Sequence, residues 1–249
     1  YRSVIRCMAG NSDMGFRDHL EELRWRLRKA LIGVIVGAIL TGIFIDWIMN
    51  NILFAPATKT IPPLSIINLR PYGQFLIYME VIFIGGAVIS VPNIVYQIWK
   101  FIEPALKPNE RRYVTAVVMF TSVCFLGGVV FSYYLILPAA LGFFANFGST
   151  IIENKISADE YMSFVLSMVL AAGIVFELPM LSFFLSKIGI LKPEFMRKYR
   201  KHAIVAILLL AAIVTPGPDI TSQLMLGIPL LFLYEISILI CKYSQKKTT

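Results

Sequence analysis

Apolar runs too long for a soluble core constrain this chain more than any other feature. Four stretches, about 30–47, 72–97, 113–138 and 161–188, each reach the ~20 residues that an α-helix needs to cross a bilayer. A fifth, 203–215, extends only ~20 Å at the helical rise, and a sixth covers 222–241. The chain therefore reads as an all-α membrane protein with six transmembrane helices, the last two short. A mean hydropathy of +0.74 with 15% charged residues, against about 25% in soluble domains, excludes a disordered chain and an ordinary cytosolic enzyme. Cys7, Cys124 and Cys241 are odd in number and lack CxxC spacing, so free thiols are expected rather than a disulfide framework.

The formal net charge of +8 needs a place outside the bilayer. Sorted by the intervals between apolar runs, 20 of the 23 Lys and Arg fall on one side and three on the other. With their acids, the first side carries +13 and the second −2, while Glu80, Glu177 and Glu235 leave −3 within the spans. The positive-inside rule assigns the basic side, and with it both termini, to the cytoplasm. The excess is thus a topology signal, and no nucleic-acid partner is expected. Residues 1–14 lack the apolar region of a secretory signal and read as a flexible tail. Residues 15–243 form a single membrane domain, and 244–249 a cytoplasmic tail.

Ahead of the first span, Phe16, Leu20, Leu23 and Leu27 recur at helical spacing, which predicts an amphipathic surface helix running unbroken into the span. Trp25 with Arg24, Arg26, Arg28 and Lys29 would hold it in the headgroup layer. The loop at 48–71 is punctuated by four prolines, and the loop at 139–160 is expected to form a short cap. Pro92, Pro179 and Pro229 fall inside spans and predict kinks, hence a curved bundle. Gly33-xxx-Gly37, Gly85-Gly86 and Gly127-Gly128 allow close helix approach within the chain.

No HExxH, GxSxG, Walker or GxGxxG pattern is present, and His19 and His202 both lie at helix ends. Neither an enzyme nor a metal or cofactor site is expected. Acids near the bilayer carry more information. Glu177, in FELP, predicts either a polar notch or an internally satisfied structural acid; Glu80 and Glu235 read as structural. Glu22 in HLEELRWRL and Glu110 in PNERR sit amid positive charge. They serve either in local pairs such as Glu22–Arg26, worth ~0.3–0.5 kcal/mol, or as an anionic receptor for an external guanidinium. A secondary transporter with a midplane site around Glu177 is a further alternative, although the inverted repeats it predicts are not seen. A purely structural assembly subunit is a third.

The order of motifs is more specific than any one of them. HLEELRWRL precedes span one, SVPNIVYQIWKFIEPALKPNERR closes span two, and FSYYLILPAAL ends span three. FELP lies in span four, TPGPDITSQ joins spans five and six, and IPLLFLYE lies in span six. Over about residues 15–243 the chain resembles the TatC family, the receptor subunits of the twin-arginine protein translocase. The resemblance implies a cup-shaped bundle with both termini inside that binds twin-arginine signal peptides of folded cargo. It further implies TatA- and TatB-type single-span partners and use of the proton-motive force. The small-residue pairs leave room for a homo-oligomer, the basic surface suits contact with membrane lipids, and the lack of a long acidic or transit-like N-terminal stretch favours a bacterial inner membrane over a thylakoid. By the same resemblance Glu22 and Glu110 contact the arginine pair, and Arg24, Phe101 and Pro56 match positions of functional weight. Glu177 matches the buried acid of the concave face, Asp219 and Gln223 the outer loop and the start of span six. Span six, with the adjoining end of span five, matches the docking surface for the small partners. Pro108-Asn109 and Glu80 depart from the family pattern, and no role is carried to Glu80.

Overall fold

The computed structural model describes residues 16–103, 114–147, 155–187, 189, 191–214 and 220–246. The expected tail at 1–14, Cys7, Glu110 and Asp219 lie outside the described residues. Helix α1, Phe16–Ile43, is continuous from the amphipathic stripe into the first span, as the absence of an early Pro or Gly predicts. Leu20, Leu23 and Leu27 stay exposed along it, facing away from protein. The chain then turns by 73° into the segment Ile45–Thr58, made of α2 (Ile45–Ile48), a π-helical turn (Met49–Leu53) and α3 (Ala55–Thr58).

Helix α4, Gly73–Ile102, returns antiparallel to α1, and the two form the most extensive helix pair among the described residues. Small residues set their approach. A Cβ built on Gly37 would stand 2.4 Å from the Gly86 carbonyl oxygen, and one on Gly86 would stand 2.5 Å from the Ala38 nitrogen. Close packing within the chain is thus what these glycines serve. Helix α5, Val114–Phe131, passes through a π-helical turn (Ser132–Ile136) into α6, Leu137–Asn146. The third span therefore does not end at Pro138. That proline occupies the first turn of α6, where its missing N–H costs nothing, and the helix runs on into the segment expected as a loop cap.

The fourth span divides at Phe176–Glu177 into α7 (Ala158–Val175) and α8 (Leu178–Lys187). Pro179 cannot donate to the Val175 carbonyl, and the helix breaks there. Helix α4 continues through Pro92, and the last helix, α11 (Ile220–Lys246), through Pro229, so of these three span prolines only the one next to Glu177 accompanies a break. After α9, Pro193–Lys198, helix α10, Arg200–Val214, has 15 residues, about 22 Å, whereas α11, Ile220–Lys246, has 27. Polar flanks carry α11 beyond its apolar stretch, Gln223–Tyr243, so the helix is longer than the apolar run that marks it in the sequence. Among the described residues, four helices are long and apolar enough to cross a membrane, five if the bent α1 segment counts as one span.

Two three-residue strands modify the all-α expectation. Strand β1, Ser65–Ile67, pairs in parallel with β2, Lys155–Ser157, so the loops after α1 and α6 meet in a cap at the end opposite the basic clusters. Tyr161 and Tyr133 donate their hydroxyls to the Leu53 and Ile52 carbonyls at 2.7 and 2.8 Å, which fastens the π turn to α7 and the α5–α6 span. The core lies beneath this cap, where Ala57, Leu137, Ala140, Met162 and Val165 are fully enclosed.

Candidate functional site

The α1–α4 pair has a readable register. Gly33 abuts Ser90 and Asn93, Gly37 abuts Gly86, and Gly85 abuts Thr41. Extending that antiparallel alignment toward the basic end brings Glu22 level with Phe101. There Glu22 accepts from Arg26 one turn further on, with Nε to Oε1 at 3.0 Å and Nη2 to the same oxygen. Both side chains are largely buried, at 17% and 21% exposure for Arg26 and Glu22. The local pair expected from i,i+4 spacing is therefore present, and it faces α4: the Arg26 guanidinium acts on the Lys100 charge. Lys100 in turn pairs with Glu103 at 2.8 Å. Glu103 had drawn no attention in the sequence, although its i,i+3 spacing from Lys100 is the signal for it. Phe101 is half-buried at this end of α4, and Arg24 projects outward from α1.

A groove of about 650 Å³ opens between α4, α5 and the α7–α8 break. Its walls are apolar, with Trp99 and Phe184 in edge-to-face contact at 4.1 Å. Ile102, beside Glu103, lies at its rim. Among the described residues, Glu177 is the one ionisable side chain lining it. Both Glu177 carboxyl oxygens, and the hydroxyl of Thr121 on the same wall, are buried without a hydrogen-bond partner among the described residues. An unsatisfied buried polar group costs roughly 1–3 kcal/mol, so a native carboxyl in this state calls for an explanation. Its placement follows from backbone chemistry. At the break the Phe176 and Glu177 amides bond Ala172 and Ile174, and the Glu177 carbonyl starts α8 by accepting from Leu181. The turn that Pro179 forces is what aims Glu177 into the groove.

The other sequence candidates lie elsewhere. Pro56 is buried in α3 at the cap, beside a pocket of about 400 Å³ flanked by Tyr133 and Tyr134, and does not line the Glu177 groove. Gln223 donates from α11 to the Leu208 carbonyl of α10 at 2.9 Å and so ties the last two helices together. Glu235, read as structural, pairs with Arg200 at 2.6 Å across the same two helices. Glu80 lines a cap-end pocket with Arg70, Asp159 and Glu160. Arg70 and Asp159 approach to 3.7 Å.

Comparison with known proteins agrees with this architecture. The family model for Sec-independent protein translocase protein (TatC) matches residues 18–229. The chain is 36% identical over 230 residues to the Sec-independent protein translocase protein TatC of Carboxydothermus hydrogenoformans, covering 92% of this chain and 93% of that one. It is 40% identical over 226 residues to the TatC protein of Helicobacter pylori strain J99, covering 91% and 88%. Among solved structures, the crystal structure of a twin-arginine translocase receptor, TatC, superposes with a TM-score of 0.83 at 37% identity, covering 91% of this chain and 99% of that one.

Proposed function

The chain belongs to the TatC family of Sec-independent protein translocase proteins, and from that premise we propose that it is the subunit that receives twin-arginine signal peptides. A translocase component is a transport subunit and not an enzyme, and membership displaces the small-solute reading of Glu177. In the proposed mechanism one arginine of the signal adds to the Glu22 carboxylate, which Arg26 already orients, and Glu110 takes the second. Arg24 and Phe101 border the entry. The apolar stretch of the signal then lies along the groove that begins at Ile102, and Glu177 meets its first polar group. Two observations support this reading: a Glu22 carboxylate held by Arg26 on α1, and an apolar groove with Glu177 on its wall between α4, α5 and the α7–α8 break.

The finer points follow the family and the charge pattern. Six spans, with α10 as the short fifth, leave both termini in the cytoplasm of a bacterial inner membrane. TatA- and TatB-type partners dock along α11 and the neighbouring end of α10, near Asp219 and Gln223. Pro56 supports the cap above them, and the proton-motive force drives passage of folded cargo.

Expression in a bacterial strain lacking its own receptor subunit, together with cognate small partners, should restore export of a folded reporter behind a twin-arginine signal. A twin-lysine signal should abolish that export. Failure to rescue, or equal export of the twin-lysine cargo, overturns the assignment. In the same assay Glu177→Leu is expected to lower export at least tenfold while leaving signal crosslinking in place. Normal export by that variant removes Glu177 from the mechanism.

A further inference from the structure

We propose that Trp25, Arg28 and Lys29 of α1 form a binding site for one anionic phospholipid. The four cations that follow Glu22 do not act as one cluster. Arg26 turns toward α4 and is engaged by Glu22. Arg28 and Lys29 turn the other way and flank the indole of Trp25, at 4.8 and 5.0 Å from the ring centroid. All three side chains are exposed, Trp25 at 51%. An exposed guanidinium and an exposed ammonium gathered at one indole offer the donors that a phosphodiester accepts from an arginine fork and an ammonium.

Depth and continuity identify the occupant. Trp25 lies eighteen residues before the end of α1 at Ile43, about 27 Å along the axis, which nearly matches a bilayer hydrocarbon core of ~30 Å. The indole is therefore level with the headgroups when Ile43 reaches the opposite interface. Below it, at three- and four-residue steps on the same helix face, Ile32, Val36, Ile39 and Ile43 are all exposed. A headgroup site thus continues directly into a rail for acyl chains. A soluble phosphate would gain nothing from that rail, and a choline headgroup would meet two cations.

The backbone beneath the site is fixed. The Lys29 carbonyl accepts from Asn93 Nδ2 at 3.2 Å, and Asn93 Oδ1 accepts from Gln97 at 3.3 Å. On the face toward α4, Gly33 leaves room for Asn93, since a Cβ there would fall 2.1 Å from its Nδ2. With α1 pinned in this way, Arg28 and Lys29 stay turned toward the lipid.

The test uses the full-length chain, exchanged into nanodiscs of phosphatidylcholine with rising fractions of phosphatidylglycerol. Native mass spectrometry then counts the lipids each preparation retains. The wild-type chain should retain phosphatidylglycerol over phosphatidylcholine by roughly tenfold or more. Arg28→Gln with Lys29→Gln should bring the preference near unity, and Trp25→Leu should lower it several-fold. The charge-conserving exchange Arg28→Lys with Lys29→Arg should keep most of it, which guards against misfolding of the neutral pair. Lys198→Gln with Lys201→Gln, elsewhere on the basic face, should change nothing. Unchanged preference in the Arg28/Lys29 neutral pair overturns the proposal. So does an equal loss in the Lys198/Lys201 pair, which would mean unspecific surface charge. Displacement of the retained lipid by soluble glycerol phosphate would mean a free-phosphate site and overturns it as well.

Discussion

Glu22→Lys is expected to cut photocrosslinking of a twin-arginine signal peptide by roughly a hundredfold. A charged hydrogen bond contributes about 1.5–3 kcal/mol, and reversal adds repulsion between the new lysine, Arg26 and the incoming guanidinium. Each 1.4 kcal/mol is a factor of ten, so the two effects together reach that size. Glu110→Lys should act in the same direction, and the double reversal should leave no signal above background. The local pair supplies the necessary contrast. If Glu22 existed only to hold Arg26, then Arg26→Gln and Glu22→Gln would have equal consequences, because each deletes the same i,i+4 contact of ~0.3–0.5 kcal/mol. A receptor carboxylate predicts otherwise: Arg26→Gln leaves most crosslinking intact, whereas Glu22→Gln removes it. Undiminished crosslinking by Glu22→Lys sinks the two-acid clamp.

Gly86→Ala is expected to lower the midpoint of thermal unfolding in detergent by roughly 2–12 °C. The added methyl would stand 2.5 Å from the Ala38 nitrogen and 2.7 Å from its Cα. Both are backbone atoms, so no rotamer relieves the clash and α1 must move off α4. Overpacking of this kind costs about 1–3 kcal/mol, and each kcal/mol shifts the midpoint of a chain this size by ~2–4 °C. Gly127→Ala is the matched control, because nothing lies within 4 Å of a Cβ there. An unmoved midpoint for Gly86→Ala would mean that the two helices do not approach as closely as described.

What could be read along the chain was mostly what is local or periodic. The continuity of α1, the break at Pro179, the shortness of α10 and the Glu22–Arg26 contact all follow from residues within one or two turns of each other. Both glycine pairs serve close helix approach, Gly85-Gly86 against α1 and Gly128 against the Ala172 carbonyl, 2.6 Å from where a Cβ would stand, whereas Gly127 faces open space, a distinction within the dipeptide that residue type does not carry. The features missed depend on residues far apart. Strands β1 and β2 are separated by nearly ninety positions, and three-residue segments carry no periodicity of their own. Asn146 secures the end of α6 to the Ile61 carbonyl at 3.1 Å, so the helix outlasts Pro138 for a tertiary reason. Arg200 and Glu235 meet only because α10 and α11 fold back on one another. The candidate site shows the same division. Glu22 and Glu177 were legible as misplaced acids, but the level of Glu22 along α4 depends on the α1–α4 register, and the exposure of Glu177 to a groove depends on the aim of one helix break.

The cap has a mechanical consequence. Strands β1 and β2, the tyrosine hydroxyls on Leu53 and Ile52, and Asn146 on Ile61 triangulate the helix ends on one side of the molecule. Spreading those ends breaks bonds in the truss, whereas tilting the far ends of α4 and α8 about it breaks none of these bonds. The cap thus holds the helix spacing at its own end, and the Trp99–Phe184 contact, on the wall of the groove far from it, is not among the contacts it fixes.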